Sequence, residues 1–292
     1  MFSLKSLILE QLKISLEKLN LTLGALGATD ESILGRGLKQ VEDTAEIKYS
    51  SAIALQQARF LDQPIPDIAS RIQSLLQESN TSRLEKIPEA GSTWIWQEIE
   101  IFLVNETWLY FRVKPQGVIA WFHSQTQQWA NKFPLEPPES VFLSGRAASW
   151  SDALSKHDLF RLQYSHARCC SLLRLGADLG LEWLAESRGA IALWDAQVVL
   201  QHPAERALVW HLVHLSDRLA LAEWKRARDL TQAAIALSEA FLAFYGAVRI
   251  VEAVRHDQRA IAEARLGLVW LTQQILRYLL EMPLASVAPD SL

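Results

Sequence analysis

The sequence predicts a mainly α-helical chain in two parts, an N-terminal α+β domain with a small sheet followed by a C-terminal helical bundle. Three observations carry this prediction. Two short runs rich in aromatic and β-branched residues, "WIWQEIEIFLV" and "TWLYFRV", meet across Asn105 and Glu106, the pattern of a β-hairpin. Beyond residue 155 the long segments repeat their apolar residues at helical period. Between the two textures, residues 133–149 carry Pro134, Pro137 and Pro138 and show no periodicity, which reads as a linker. The expected domains are therefore 1–132 and 150–292, joined by a linker at 133–149.

Taken in order, the first 75 or so residues read as helical. "LKSLILEQLKISLEKLNL" sets Leu7, Leu9, Leu12, Leu16 and Leu19 mostly along one stripe, and "YSSAIALQQARFL" continues with Ala52, Leu55, Gln56 and Arg59. "QPIPDIASRIQSLL" opens on Pro64 and Pro66 with Asp67 near the start, as helix N-termini do, and runs amphipathically to Leu76. The hairpin follows. After Pro115 and Gly117 a helix resumes through "VIAWFHSQTQQWANKF". In the second part, "DLFRLQYSHARCCSLLRLGADLGLEWL", "AERALVWHLVHLSDRLALAEW", "DLTQAAIALSEAFLAFYGAVRIVEAV" and "DQRAIAEARLGLVWLTQQILRYLLEM" each carry one apolar stripe, which is what a bundle needs.

Composition narrows the function. The net charge of -4 supplies no bulk attraction for a polyanion, so any nucleic-acid site must be a local patch. Lys5, Glu10, Lys13 and Glu17 interrupt the first apolar stretch, so no signal-peptide core forms there, and no 18-residue apolar run occurs elsewhere. A cytoplasmic location without membrane or DNA partners is expected. The two cysteines, Cys169 and Cys170, are adjacent and have no zinc-site spacing around them, so no metal and no cofactor is expected. Phosphate loops of the G-x-G-x-x-G or G-x-x-x-x-G-K-[ST] type are missing, as are G-x-S-x-G and H-E-x-x-H. His211 and His214 form an i, i+3 pair that reads as a helix face against a partner helix. No catalytic residue stands out.

The densest cluster of chemistry is "LQYSHARCC", Leu162 to Cys170. On a helix, Arg161, Tyr164 and Arg168 share one exposed stripe, and Leu162, His166, Cys169 and Leu173 share another suited to a core. A flat aromatic beside guanidinium groups can stack on unpaired bases and hold phosphate; the same residues also make an ordinary solvated face.

These residues resemble a known family. "LQYSHARCCSLLR" is similar to the Q-Y-A-H-A-R run of the DALR anticodon-binding domain of arginyl-tRNA synthetases. "LSEAFLAFYGAVRI" and the tail "LTQQILRYLLEMPLASVAPDSL" resemble later parts of that domain. "YSSAIALQQARFLDQPIPDIASRI" and "WLYFRVKPQGVIAWF" look like the N-terminal add-on domain of the same enzymes. The resemblance implies anticodon contacts at Arg161, Tyr164, Arg168, Tyr245 and Arg249, with the basic run Lys225, Arg226 and Arg228 nearby. It implies contacts to the tRNA elbow at Asn105, Trp108 and Tyr110. The catalytic domain with H-x-G-H and K-M-S-K-type motifs, which such synthetases insert between these parts, has no counterpart here, and the only methionines are Met1 and Met282. The resemblance therefore implies a non-catalytic tRNA-binding paralogue. The alternative is a module repurposed for a protein partner, for which eleven tryptophans offer hot-spot material.

Overall fold

The computed structural model describes residues 2–19, 37–58, 63–81, 90–131, 154–183, 202–223, 227–250 and 258–292. Among them are nine helices and four strands. The chain divides into two compact units, Ser3–Trp121 and Phe122–Leu292 with the first two residues. This dividing line falls inside a helix, ahead of the expected linker; residues 133–149 lie outside the described residues.

The first unit opens with α1 (Leu4–Lys18), whose N-terminus is capped by Ser3 accepting the Ser6 N–H at 2.9 Å. It continues with β1 (Leu38–Gln40), β2 (Ile47–Ser51), α2 (Ile53–Gln57), α3 (Ile65–Thr81), α4 (Ala90–Gln97), β3 (Ile99–Val104), β4 (Trp108–Val113) and the start of α5 (Pro115–Asn131). The strands form one antiparallel sheet in the order β1-β2-β4-β3, with Tyr49 opposite Phe111 and Ile101 opposite Phe111 on the other side. Ile47, Tyr49, Ile99, Ile101, Leu109, Phe111 and Val113 turn into the core. They meet α3, which buries Ile68, Ile72 and Leu76, and α1 packs on α3. β3 is an edge strand, and α3 covers its outer carbonyls. Gln73 and Gln77 both donate to the Ile101 carbonyl at 3.2 Å, and Asn80 donates to that of Ile99 at 2.6 Å, so the edge offers no free ladder there.

Two sequence expectations change. The segment read as continuous helix contains β1 and β2, because Ile47, Tyr49 and Ser51 alternate into the core, a period of two that the helical pattern of the following residues obscured. The "WIWQ" half of the first strand-like run is the end of α4. A run this short and apolar is ambiguous between helix and strand, and burial of Trp96, whose indole N–H donates to Ser79 Oγ at 3.3 Å, settles it as helix.

The second unit holds the rest of α5 and four long helices: α6 (Lys156–Asp178), α7 (Pro203–Ala220), α8 (Ala227–Ala247) and α9 (Arg259–Glu281). α9 is the axis, with Leu266, Leu271, Ile275, Leu276 and Leu279 fully buried. α6 crosses it closely at Gly176, where a Cβ would come within 2.4 Å of a Leu266 methyl. α6 ends at Gly180, φ +65°, with Leu181 N–H bonded back to the Gly176 carbonyl and Gly180 N–H to that of Ala177, both at 2.9 Å. That is a Schellman stop, for which glycine is the natural residue. α7 starts with Pro203 after a capping box between His202 and Glu205. Glu205, fully buried, also takes the Arg265 Nε–H of α9 at 2.7 Å. By length and composition α8 is apolar enough to cross a membrane, more so than the sequence reading allowed. In this fold its Leu230, Ala234, Leu237, Phe241 and Phe244 form core of the bundle.

Candidate nucleic-acid interface

The "LQYSHARCC" helix, α6, presents two polar stripes with separate tasks. The first runs through Gln163, His166, Cys170 and Arg174 and clasps the tail that follows α9. Gln163 donates to the Val287 carbonyl at 3.0 Å, His166 Nδ1 to the Pro289 carbonyl at 2.9 Å, and Arg174 to the Asp290 carbonyl at 3.0 Å. The Cys170 thiol donates to Asp290 Oδ1 at 3.7 Å. A carbonyl only accepts, so His166 carries its proton on Nδ1, and its Nε2 receives the Gln273 amide at 2.9 Å. His166, Cys170 and Asp290 bring three potential metal ligand atoms within 4.8 Å of one another. Both His166 nitrogens are already engaged, and burial pushes the Cys170 thiol up to about 11, so the cluster is better suited to hydrogen bonding than to ligation.

Burial also pushes the imidazole of His166 below its ordinary value, with the Pro289 carbonyl and the Asp290 and Glu281 carboxylates opposing and Arg277 reinforcing that shift. His123 and His211 are depressed by burial as well. In the unfolded chain such rings titrate near 6.5, so below that pH the unfolded state takes up protons that the folded state refuses. Stability is accordingly full above about pH 6.5 and falls as the pH drops toward the folded values. Urea unfolding at pH 7.5 and 5.5 should show a lower midpoint in acid, and His166→Gln should flatten that dependence in part. A midpoint unchanged between the two pH values would contradict the assignment.

The second stripe faces outward. Phe160 is 55% exposed and its ring lies 6.2 Å from that of Tyr164, tilted by 23°. Arg168 Nε–H donates to Tyr164 Oη at 3.0 Å. The Arg168 guanidinium carbon sits 5.4 Å from the Tyr164 ring centre and 5.6 Å from that of Tyr245 on α8, both cation–π distances. Tyr245 in turn stacks on Phe241 at 6.3 Å. The helices meet this closely because two buried serines face each other: Ser165 Oγ and Ser238 Oγ are 2.5 Å apart, and Ser238 also donates to the Arg161 carbonyl at 3.3 Å. Three aromatic rings and one guanidinium thus form a single exposed surface from residues 85 positions apart in sequence at the extremes, Phe160 to Tyr245.

Arg161 lies one turn before Tyr164 on the same helix and is half-buried. It is ion-paired with Glu239 of α8, and its second nitrogen lies 3.2 Å from His157 Nε2. Its charge is thus paired on the surface beside Tyr164 and Arg168. A further aromatic partner comes from Phe160, one residue earlier, which spacing alone does not single out. Arg249 is exposed just beyond the end of α8, and Arg228 lies at its start. Lys225 and Arg226 fall outside the described residues.

In the first unit, Trp108 and Tyr110 lie on the sheet face opposite the core, and Asn105 lies in the adjoining turn. Asn105 and Glu106 both have positive φ, 51° and 58°, as the tight hairpin turn requires. Tyr110 stacks on Phe102 at 5.7 Å, and Arg112 covers Phe102 at 5.8 Å. Phe102 and Arg112 were not singled out from sequence, although strict alternation along "IEIF" and "LYFRV" marks them as outward-facing. Arg112 is paired with Glu100, and Lys48 with Asp43 and Glu46 at 2.9 and 2.7 Å.

An outward aromatic surface on a helical bundle suits a binding domain, and comparison with known proteins gives a likeness to one. Residues 162–283 match the DALR anticodon binding domain family. The chain is 37% identical over 133 residues, 45% of its own length, to the arginine--tRNA ligase of Synechococcus sp. (strain JA-3-3Ab), covering 22% of that ligase. It is 34% identical over 133 residues to that of Moorella thermoacetica, and 35% identical over 120 residues to that of Gloeobacter violaceus. It spans about a fifth of the length of these relatives. No solved structure matches. Residues 162–283 are therefore similar to a DALR anticodon-binding domain, and 45% of the chain is similar to a part of these arginine--tRNA ligases.

Proposed function

We propose that this chain is a cytoplasmic, non-catalytic protein that binds tRNA, with the anticodon loop of an arginine tRNA on the surface formed by Phe160, Tyr164, Arg168 and Tyr245. The observation that carries the reading is Arg168 held between two tyrosine rings on a DALR domain. Rings offer stacking to unpaired bases, and the guanidinium offers charge to the backbone beside them. Arg249 supplies a second cation at the end of α8. In the same reading the first unit serves as an add-on domain, with Asn105, Trp108 and Tyr110 toward the tRNA elbow. The lack of H-x-G-H and K-M-S-K-type text in the sequence supports a chain that does not itself activate arginine, so arginine-dependent pyrophosphate exchange is expected to be nil.

Filter-binding titrations of total tRNA at several salt concentrations test the reading. Tyr164→Ala should weaken binding by about 1 to 3 kcal/mol, the scale of one lost base stack. Arg168→Ala should lower the salt slope by roughly 0.7 to 0.9. Equal, weak binding by wild type and both variants would reject it. A second reading places a protein partner on the open sheet face. What favours it is that Arg112 and Lys48 are already paired with acids while Trp108 stays 39% exposed. Trp108→Ala would then abolish capture of that partner and leave tRNA binding unchanged.

A further inference from the structure

A recess lies in the bundle between α7 and α8, apart from the residues of the aromatic surface. It has a volume of ≈ 310 Å³ and is lined by Trp210, His211, His214 and Arg218 from α7 and by Asp229, Gln232, Ala233 and Ala236 from α8. On the α7 side the Trp210 and His214 rings are stacked on each other, 5.1 Å between centres and only 7° from parallel, with Trp210 the more buried of the two. His211 meets Trp210 edge-on at 5.0 Å. Arg218 is half-buried, and burial pushes its guanidinium below the usual value against the opposing charges of Asp229 and Glu223. The two alanines keep the α8 wall low and leave the recess open.

The chemistry selects the ligand. A purely apolar molecule would take water from two imidazoles, a guanidinium, a carboxylate and an amide without replacing it. A bare anion would suit Arg218 but would leave the stacked rings unused. A molecule with a flat heteroaromatic part, hydrogen-bonding edges and one anionic group matches every element of the lining. The volume lies at the lower end of small-ligand sites, room for a single such unit.

We propose that this recess is a binding site for one nucleotide, the base stacking on the Trp210–His214 pair from the His214 side, its edge toward Asp229 and Gln232, and its phosphate toward Arg218. The nucleotide can come free from solution or from an RNA chain, and the second source rests on the function proposed above. Glu239 connects the two surfaces: its carboxylate pairs with Arg161 beside the aromatic stripe, and its charge reaches His211 on the rim of the recess.

The test uses the full chain labelled for indole N–H signals and titrated with each of the four nucleoside 5′-monophosphates, with Trp210→Phe serving to assign the Trp210 signal. At least one monophosphate should shift that signal saturably. Ala233→Leu and Ala236→Leu fill an open recess rather than the core, so they should keep the wild-type unfolding temperature while abolishing the shift. Arg218→Gln should weaken the monophosphate about tenfold, as expected for one charge-assisted contact, and leave the corresponding nucleoside unaffected. No saturable shift with any monophosphate, or a shift unchanged in the Ala233→Leu protein, would overturn the site. Titration of the same variants with tRNA separates the sources. Weakening by both Ala233→Leu and Tyr164→Ala supports an RNA nucleotide in the recess, and weakening by Tyr164→Ala alone, with the monophosphate shift present, supports a free one. Monophosphate binding without any tRNA binding supports the recess while rejecting the anticodon reading.

Discussion

Arg265→Met should destabilise the helical unit by about 3 to 5 kcal/mol, the cost of leaving one member of a buried ion pair without its partner. Glu205 has no exposure to solvent, and its carboxylate holds both the Arg265 Nε–H at 2.7 Å and the backbone N–H of His202 at 2.9 Å. The single carboxylate thus caps α7 and fastens it to α9. Without Arg265 the charge keeps, among the described residues, the cap to His202. A double change, Glu205→Gln with Arg265→Met, removes the charge and should recover much of the loss. The measurement is urea unfolding followed by helical circular dichroism. A loss under about 1 kcal/mol in the single variant, the level of a surface pair, would mean that the pair is solvated and the helices are joined by apolar packing alone.

Replacing both tyrosines, Tyr164→Ala with Tyr245→Ala, should weaken tRNA binding by about 2 to 5 kcal/mol, somewhat less than the sum of the single effects. The two rings share Arg168, and residues with a common partner are not additive. Loss of the rings also releases the guanidinium from the position that the Tyr164 hydroxyl and the two ring faces define. Tyr164 is only partly buried and Tyr245 is 37% exposed, so the fold should tolerate the change, and an unchanged melting temperature is the control. Wild-type affinity in the double variant would remove the aromatic surface from the function.

The parts of the site that were legible share a cause. Tyr164, Arg168 and His166 stand in a motif whose helical spacing separates an outer from an inner stripe, and α6 carries them in that arrangement. Phe160 was missed because a single phenylalanine at the start of a helix looks like core filler until its 55% exposure is seen. The pairing of Arg161 with Glu239, 78 residues away, was not legible, because spacing along one helix says nothing about charges on another. The recess between α7 and α8 left only a weak trace, His211 and His214 at i, i+3, because it depends equally on the small size of Ala233 and Ala236 opposite. In the first unit the hairpin was evident, whereas β1 and β2 were hidden by short length and by the helix that follows them.

Local periodicity and local chemistry are enough to specify long amphipathic helices after residue 155, a hairpin turning at Asn105 and Glu106, and a motif rich in stacking and basic groups. All three are legible in the chain alone. Which of those groups remain available depends on the assembled fold. Packing of α8 on α6 through Ser165 and Ser238 brought Tyr245 to Arg168 and Glu239 to Arg161, leaving the first cation on an aromatic surface and tying the second into an ion pair. The return of the tail past Pro289 turned His166 from a residue on an inner stripe into a hydrogen-bonded anchor. Exposure and pairing are properties of surfaces made by two or more segments, so they are fixed only when those segments meet.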